Sequence, residues 1–269
     1  MNFYGLLGEK LSHSISPEIH KEVFDYINEE GAYKLFEIER DKLENFTEAV
    51  KLLKVKGFNV TIPYKQDIMK YLDEVDSNAL EMGAVNTVKL QEGKLIGYNT
   101  DYLGFGYILE NKNIEVKEKT AVLLGNGGAN RAAMQYLLNK GIGKVFIVSR
   151  NPKNEYNIDR VQVISYEDLK NIKGDILVNG TPVGMYPNVG VSPVSKDVIK
   201  NFDILVDLIY NPMETEFLKL GKELNKTVIG GLDMLIVQGI RAEEIWNDTK
   251  INDELIDRLH NKLKVKFEK

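Results

Sequence analysis

Three polar residues each stand at the end of a separate predicted strand, and two of them, a lysine and an aspartate, carry groups that can transfer a proton. Lys65 follows a strand predicted over residues 58–62, and the chain must turn before it because Pro63 cannot continue a central strand. Asn86 stands where a hairpin begins, and Asp101 opens a helix. Each has a simpler interpretation alone, as a solvated lysine, a turn residue and a helix N-cap. Together they are harder to explain by three separate structural roles. A lysine is also a suitable proton donor to a carbonyl oxygen whose carbon takes up a hydride, provided that burial lowers its pKa toward neutrality.

Two serines lie in a loop that follows the first predicted strand. Ser16 precedes Pro17 and is predicted to be the N-cap of a helix over residues 18–28. One interpretation is that Ser16 only caps this helix. The other is that Ser14, Ser16 and the helix N-terminus hold a carboxylate without an arginine. His13, in the same loop, is expected to support the loop rather than to catalyse a reaction.

A turn formed by Gly125, Gly127 and Gly128 predicts a dinucleotide site. It follows a short apolar run at residues 121–124 and precedes helical spacing over residues 130–140. Strand, glycine turn and helix in this order direct backbone N–H groups to an anion at a helix N-terminus. This arrangement binds a pyrophosphate, and the strand–helix units that continue to about residue 230 support the prediction.

The end of the next strand, predicted over residues 144–149, favours NADP over NAD. Proteins that prefer NAD place an acidic residue near this point to bind the ribose hydroxyls. Here the chain has Ser149, Arg150 and, three residues later, Lys153, with no acidic residue at the strand end. The guanidinium of Arg150 would pair with a 2′-phosphate. The alternative is that Arg150 is a solvated loop residue.

The composition excludes several classes of protein. The 269 residues suffice for two domains, and 43% hydrophobic with 28% charged residues is typical of a globular protein. A net charge of -5 provides neither a basic face for nucleic acid nor a polybasic membrane anchor. With no cysteine and three scattered histidines, no disulfide, cysteine nucleophile or metal site is expected. Without a signal peptide or a transmembrane run, the protein is expected to be soluble and cytoplasmic.

The order of elements predicts an α/β fold with two domains and a cleft between them. Residues 1–101 plus 237–269 are assigned to an N-terminal α/β substrate domain, and residues 102–236 to a Rossmann-like, doubly wound parallel-sheet nucleotide domain. Residues 67–82 are expected to form one helix, followed by a hairpin turned at Glu92 and Gly93. Further strands are predicted over 161–166, 175–179, 203–208 and 227–230, and further helices over 215–225, 232–246 and 252–263.

Seven motifs, spread over nearly the whole chain, resemble those of the shikimate dehydrogenase family. They are residues 12–17 (SHSISP), 59–65 (NVTIPYK), 83–87 (GAVNT), 99–101 (NTD), the glycine turn, 179–185 (NGTPVGM) and 231–238 (GLDMLIVQ). The resemblance implies NADPH-dependent, reversible reduction of 3-dehydroshikimate to shikimate in aromatic amino-acid (chorismate) biosynthesis. It also implies no metal, no nucleic-acid or membrane partner, and a monomer or a homodimer.

The resemblance implies a role for each candidate residue. Lys65 and Asp101 are the catalytic pair, with Lys65 favoured as acid/base and Asp101 as the residue that orients it. The implied substrate-binding residues are Ser14, Ser16, Thr61, Asn86, Tyr210 and Gln238. The implied cofactor-binding residues are Gly125, Gly127, Gly128, Ala129, Ser149, Arg150, Lys153, Thr181, Gly231 and Met234. Gln238 has a simpler interpretation as a buried structural amide, because it lies on an apolar helix.

This chain departs from the family pattern at several positions. Residues 149–151 read Ser-Arg-Asn where relatives that use NADP commonly have Asn-Arg-Thr. Asn126 and Asn130 replace small residues of the glycine turn, and Glu243 stands where an aromatic residue is frequent. Two alternative functions remain. One is a quinate/shikimate dehydrogenase that uses NAD, and the other is a catalytically silent regulatory protein that binds NADP.

Overall fold

The protein forms two compact units, each with its own six-stranded sheet. The computed structural model describes residues 1–12, 14–153 and 156–267. The first unit comprises Met1–Gly104 and Ile236–Asn261, and the second comprises Phe105–Leu235 and the described residues from Lys262 onward. Both units combine strands and helices, so the predicted α/β class with two domains is confirmed.

The elements alternate along most of the described chain. The strands are β1 (Asn2–Gly8), β2 (Gly31–Glu37), β3 (Gly57–Val60), β4 (Glu74–Val75), β5 (Thr87–Gln91), β6 (Lys94–Tyr98), β7 (Thr120–Leu124), β8 (Lys144–Val148), β9 (Val161–Ile164), β10 (Ile176–Asn179), β11 (Ile204–Asp207) and β12 (Thr227–Ile229). The helices are α1 (Ser16–Ile27), α2 (Leu43–Leu52), α3 (Ser77–Met82), α4 (Asp101–Glu110), α5 (Gly128–Asn139), α6 (Lys196–Ile199), α7 (Glu216–Glu223), α8 (Leu232–Asn247) and α9 (Glu254–Phe267). In the described part of the chain, none of these helices combines the length and the apolar character that crossing a membrane requires.

The first sheet is mixed, with the strand order β2-β1-β3-β5-β6-β4. β1 pairs in parallel with β2 and β3, whereas β5 is antiparallel to both β3 and β6. One face buries Phe58 and Leu95, which belong to the same core as Phe46 of α2. The hairpin of β5 and β6 turns at Glu92 and Gly93, both with positive φ, as a tight two-residue turn requires. The predicted hairpin is therefore confirmed.

The second sheet is entirely parallel, with the strand order β12-β11-β10-β7-β8-β9. β10 and β11 are buried at every position, and β7 at all but its first, which is typical of parallel strands covered on both faces. From β7 the chain proceeds outward to β9 and then returns to β10 on the opposite side of β7. This is the doubly wound dinucleotide-binding order, and its reversal between β7 and β10 is where such sheets bind ligands. The Rossmann-like prediction is confirmed.

Residues 67–82 do not form the single helix that their spacing predicts. A 3-10 helix covers Asp67–Tyr71, β4 pairs with β6, and α3 begins only at Ser77. Between them the carboxylate of Asp73 accepts the backbone N–H of Leu95 at 2.7 Å. The N–H groups of Asp73 and Asp76 donate to the carbonyls of Leu95 and Gly97 at 3.0 and 2.8 Å, so backbone donors of this segment bond to the neighbouring hairpin rather than within a helix. Tertiary pairing overrides the local pattern here.

Candidate active site and nucleotide site

The strand directions bring three predicted site residues to one end of the first sheet. β3 and β6 run in the same direction because β5 is antiparallel to both, so the start of β5 lies between their carboxyl ends. The register pairs Asn59 of β3 with Thr87 of β5. Lys65 follows β3, Asn86 directly precedes β5, and Asp101 follows β6. The sheet therefore positions these residues together although they are far apart in sequence.

Lys65 and Asp101 form a short ion pair that is largely buried. Nζ of Lys65 lies 2.6 Å from Oδ2 of Asp101, and the two side chains are 14% and 3% exposed. The backbone holds both residues in place, since the carbonyl of Lys65 accepts the N–H of Val85 at 2.7 Å and the N–H of Asp101 donates to Asn99 Oδ1 at 3.0 Å. Each charge compensates the desolvation of the other. The pair thus keeps an ammonium group at a fixed point with some access to solvent.

Asn86 is buried next to this pair and is held by a network of side chains. Its Nδ2 donates to Thr100 Oγ1 at 3.1 Å and to Gln238 Oε1 at 3.3 Å. Its Oδ1 accepts the N–H of Thr100 at 2.7 Å and the hydroxyl of Thr87 at 3.0 Å. The contact with Gln238 is informative because Gln238 is 152 residues away in sequence, on α8. Two predicted substrate-binding amides are therefore adjacent, which favours a shared role over separate structural roles.

The serine loop lies in the first unit but does not cap α1 in the predicted way. α1 begins at Ser16 itself, its N-cap is Ile15, and no side chain caps it. Ser14 Oγ accepts the N–H of Ser16 at 3.2 Å and lies 3.1 Å from Ser16 Oγ. The prediction that Ser16 is the N-cap is therefore wrong, because the turn closed by Ser14 draws Ser16 into the helix. The two hydroxyls are adjacent, and His13 lies outside the described residues.

Thr61 and Tyr210 lie on different units. Thr61 directly follows β3, where its N–H donates to the carbonyl of Leu7 at 2.9 Å. Tyr210 follows β11 in the second unit, and its ring packs edge-on against Phe267 with 6.1 Å between centroids. Burial raises the pKa of the Tyr210 phenol, so this hydroxyl stays protonated and can donate a hydrogen bond. Their roles toward a substrate stay predictions.

The glycine turn joins β7 to α5 at the reversal point of the second sheet. Gly125 has φ of 95°, a conformation that favours glycine. Gly127 is the N-cap of α5, and no side chain caps the helix. A Cβ added at Gly127 would meet no atom within 4 Å, so open space lies beside the backbone at this point. The turn thus fits a pyrophosphate, with the first residues of α5, Gly128 and Ala129, presenting backbone toward it.

Asn130 braces the back of this turn. Its Nδ2 donates to the carbonyls of Leu124 and Gly125 at 2.7 and 2.8 Å. Its Oδ1 is buried and has no hydrogen-bond partner among the described residues. A Cβ added at Gly180 would lie 2.2 Å from this oxygen, so the loop after β10 also packs against Asn130. Asn130 therefore links the turn after β7 to the loop after β10.

The other predicted cofactor residues lie beyond the strand ends of the second unit. Ser149 and Arg150 directly follow β8, and both Arg150 and Lys153 are exposed. Thr181 follows β10, where its N–H and hydroxyl both donate to Asn179 Oδ1, at 3.1 and 2.7 Å. Gly231 directly precedes α8 and Met234 lies in its first turn, and a Cβ at Gly231 would lie 2.4 Å from the carbonyl oxygen of Leu208. All of these residues belong to the second unit.

Some residues that organise the two sites are absent from the sequence-based prediction. Thr87 and Thr100 hold Asn86, and their signal in the sequence is only that each adjoins a predicted site residue. Asp207 ends β11 with no exposed surface, and it accepts hydrogen bonds from Asn179 Nδ2, the N–H of Ile209 and the hydroxyl of Thr215. Desolvation raises the pKa of Asp207 to about 6, although these donors oppose the shift. A lone acid after an apolar strand is the signal that could have identified it.

The residues that the structure describes contain no group of three or more His, Cys, Asp or Glu side chains suited to a metal ion. The chemistry of the described site is that of one ion pair surrounded by neutral hydrogen-bonding groups. A lysine near amides and hydroxyls suits proton transfer to a polyhydroxylated substrate.

Comparisons with known proteins identify relatives of this chain. The family model described as the shikimate dehydrogenase substrate binding domain matches residues 6–88. A protein of Clostridium beijerinckii named shikimate dehydrogenase (NADP(+)) is 54% identical over 263 residues, which cover 97% of each chain. The crystal structure of shikimate dehydrogenase 1 from Peptoclostridium difficile superposes with a TM-score of 0.92 at 53% identity, covering 99% of both chains.

A third relative has been solved with both ligands. The structure of shikimate 5-dehydrogenase from Thermus thermophilus, in complex with NADP(H) and shikimate, matches with a TM-score of 0.85 and 30% identity. It covers 97% of this chain and 99% of its own. An identity of 54% over nearly the full length of both chains is far beyond what a shared fold alone produces. The chain therefore belongs to the shikimate dehydrogenase family.

Proposed function

We propose that this protein catalyses the reversible, NADPH-dependent reduction of 3-dehydroshikimate to shikimate, in the cytoplasm and as a monomer or a homodimer. The observation that carries the proposal is the buried pair of Lys65 and Asp101, with 2.6 Å between Nζ and Oδ2. A binding or regulatory protein has no need of a desolvated ammonium group held next to neutral hydrogen-bonding side chains. A dehydrogenase needs one, because its substrate carbonyl must gain a proton as it gains a hydride.

When bound, NADPH supplies the hydride from its nicotinamide C4 to the C3 carbonyl carbon of the substrate. Lys65 gives a proton to the carbonyl oxygen, and it takes the proton back in the oxidation of shikimate. Asp101 orients the ammonium group and stabilises its charge in a largely buried site. Because Lys65 is 14% exposed, it can recover its proton from solvent.

Neutral groups recognise the substrate. Asn86 and Gln238 are adjacent amides, and Ser14 and Ser16 are adjacent hydroxyls. Such groups suit a ring that carries several hydroxyls and a carboxylate, since each can both donate and accept hydrogen bonds. Thr61 and the protonated phenol of Tyr210 complete the proposed set. We assign substrate binding to residues 1–101 plus 237–269 and cofactor binding to residues 102–236.

NADP is the proposed cofactor. The open space beside Gly127 and the uncapped start of α5 suit its pyrophosphate. Ser149, Arg150 and Lys153 provide the groups at the end of β8 that would bind a 2′-phosphate, with Arg150 the main one. Support also comes from the Thermus thermophilus relative, whose crystals contain NADP(H) and shikimate.

The test is absorbance at 340 nm with the purified protein, using shikimate and quinate, each with NADP and with NAD. We expect NADPH formation with shikimate and little turnover in the other three combinations. Turnover mainly with quinate and NAD would instead identify the protein as a quinate/shikimate dehydrogenase that uses NAD. Binding of NADP with no turnover of either acid would instead support a regulatory protein.

A further inference from the structure

A buried pair, His20 of α1 and Glu243 of α8, has no role in the proposed proton and hydride transfer. Nδ1 of His20 lies 2.5 Å from Oε1 of Glu243, with side chains 2% and 0% exposed. Both residues belong to the first unit. They are 223 positions apart in sequence, so the pair joins the two ends of the chain.

The pair is packed against aromatic rings and one partly buried amide. The His20 ring stacks on Tyr33 at 4.1 Å between centroids and on Trp246 at 5.3 Å. The second oxygen of Glu243 accepts a hydrogen bond from Asn247 Nδ2 at 2.8 Å. Burial raises the pKa of the Glu243 carboxyl, and His20 opposes this shift. A pair so deeply desolvated contributes little net stability compared with apolar residues of similar size.

The two helices that the pair connects both carry proposed substrate residues. His20 lies one helical turn after Ser16 on α1, so both project from the same face. Glu243 follows Gln238 on α8. Next to Gln238 the helices approach closely, since a Cβ added at Gly239 would lie 3.1 Å from Cγ2 of Ile19. The pair thus fixes the distance between the helices close to the residues proposed to bind substrate.

Tyr33 extends the same assembly to Asn86. Its ring stacks on His20 with an interplanar angle of 12°, and its hydroxyl donates to Asn59 Oδ1 at 2.8 Å. Asn59 Nδ2 in turn donates to the carbonyl of Asn86 at 3.3 Å and to Thr87 Oγ1 at 3.1 Å. Packed and hydrogen-bonded groups therefore connect His20 to Asn86, the amide that contacts Gln238.

We propose that His20 and Glu243 are positioning residues that hold Ser16 of α1 and Gln238 of α8 at the spacing that the substrate requires. This inference rests on the function proposed above. It assigns the pair to substrate affinity rather than to hydride or proton transfer. The length of the Glu243 side chain should then matter more than its charge, because the 2.5 Å contact sets the spacing.

The experiment compares two substitutions of Glu243 in the full-length protein. Glu243→Asp keeps the charge but is one methylene shorter, whereas Glu243→Gln keeps the length and an oxygen that can accept from His20. For Glu243→Asp we expect KM for shikimate to rise about 10- to 100-fold, the scale for loss of a hydrogen bond to a charged group of the substrate, with KM for NADP unchanged. Glu243→Gln should keep KM for shikimate within about threefold of the wild-type value, since a neutral hydrogen bond still sets the spacing.

A matched control lies at the next position. Glu244 is also buried on α8, but it bonds to Arg241 and to the N–H of Ile251, not to α1. We expect Glu244→Asp to leave KM for shikimate unchanged. A double variant, His20→Phe with Glu243→Leu, replaces the pair by apolar side chains of similar size. It should fold with a similar Tm but bind shikimate weakly, because the contact that sets the helix spacing is gone.

The outcomes separate this inference from the function it rests on. A wild-type protein that does not oxidise shikimate overturns the proposed function, and the role of the pair with it. Normal wild-type turnover with an unchanged KM for shikimate in Glu243→Asp overturns the positioning role alone. The positioning role is also overturned if Glu243→Asp lowers kcat and raises both KM values equally, or if it fails to fold, since the pair would then be a general structural contact.

Discussion

The two units use their buried polar side chains in different ways. In the first unit, side chains at the end of the sheet bond to one another, as Lys65 does to Asp101 and Asn86 to Gln238. In the second unit, the buried amide beside the glycine turn bonds to the backbone instead, since Asn130 holds two carbonyls of that turn. Asp207, at the end of β11, combines both kinds of partner, because it accepts hydrogen bonds from the side chains of Asn179 and Thr215 and from the N–H of Ile209.

This difference corresponds to two modes of recognition. Side chains that are already oriented by other side chains can distinguish one hydroxyl of a small ring from another. A braced backbone instead presents N–H groups to a pyrophosphate, which every dinucleotide carries, and leaves the choice between NAD and NADP to a few exposed residues. Substitutions at the proposed active site of the first unit should therefore change chemistry and substrate affinity, and those at the glycine turn and the end of β8 should change stability or cofactor affinity.

The largest effect is expected from Lys65→Ala. Loss of the proton donor should lower kcat by about 10²- to 10⁴-fold, the usual range for general acid–base catalysis, with a smaller change in KM for shikimate. The measurement is steady-state shikimate oxidation at 340 nm. Lys89→Ala is the control, because Lys89 also forms a 2.6 Å pair with an aspartate, Asp248, in the same unit but is not one of the proposed site residues. Near-normal turnover by Lys65→Ala would contradict the proposed catalytic role of Lys65.

Asp207→Asn should change stability and leave kcat nearly unaffected. The pKa of Asp207 is raised from 3.8 to about 6 in the folded state, so between these values the folded protein binds more protons than the unfolded chain. Stability contributed by this group is therefore lost as pH rises from about 4 to 6, by about 3 kcal/mol in all. Without the ionisable group, Asp207→Asn should become more stable relative to wild type over this range.

Chemical unfolding at several pH values between 4 and 7 measures this difference. Asp203→Asn is the control, because Asp203 lies immediately before the same strand with its side chain 81% exposed. It should follow the wild-type pH dependence. If the free energy of unfolding of wild type and of Asp207→Asn depends on pH in the same way, Asp207 is not the titrating group. A large loss of kcat in Asp207→Asn would show that Asp207 contributes to catalysis and not only to stability.

Local sequence predicted most of the fold and the grouping of three proposed active-site residues. The glycine turn and the parallel strands are set by short-range patterns, and Lys65, Asn86 and Asp101 were predictable because each lies at a strand end. The partner of Glu243 was not predictable, since His20 is 223 residues away and only the packing of α1 on α8 brings them together. The predicted helix over residues 67–82 was wrong for a similar reason, because pairing of β4 with β6 is a long-range contact.

Arg150→Gln tests whether Arg150 gives the second unit its preference for NADP over NAD. Loss of a charge-assisted contact with the 2′-phosphate should raise KM for NADP about 10- to 100-fold, corresponding to roughly 1.5–3 kcal/mol, while KM for NAD stays unchanged. Measurement of both KM values at 340 nm tests this. Lys200→Gln removes another exposed cation of this unit, one that pairs with Asp197, and should alter neither value. Equal changes in KM for NADP and for NAD would show that Arg150 does not bind the 2′-phosphate and is a solvated loop residue.

Gly127→Ala tests whether the braced turn is shaped for a ligand or only for folding. At Gly127 φ is -84° and no protein atom lies within 4 Å of an added Cβ, so the protein itself should tolerate alanine without a change in Tm. A bound pyrophosphate would meet that methyl group, and we expect KM for NADP to rise about tenfold, since overpacking by a methyl costs on the order of 1–3 kcal/mol. Gly125→Ala should instead lower Tm even without cofactor, because φ of 95° and a contact of the added Cβ with Thr181 at 3.1 Å make alanine destabilising there.

Thermal unfolding and KM for NADP, measured on both variants, separate these outcomes. If Gly127→Ala binds NADP normally, the backbone at this position does not approach the pyrophosphate.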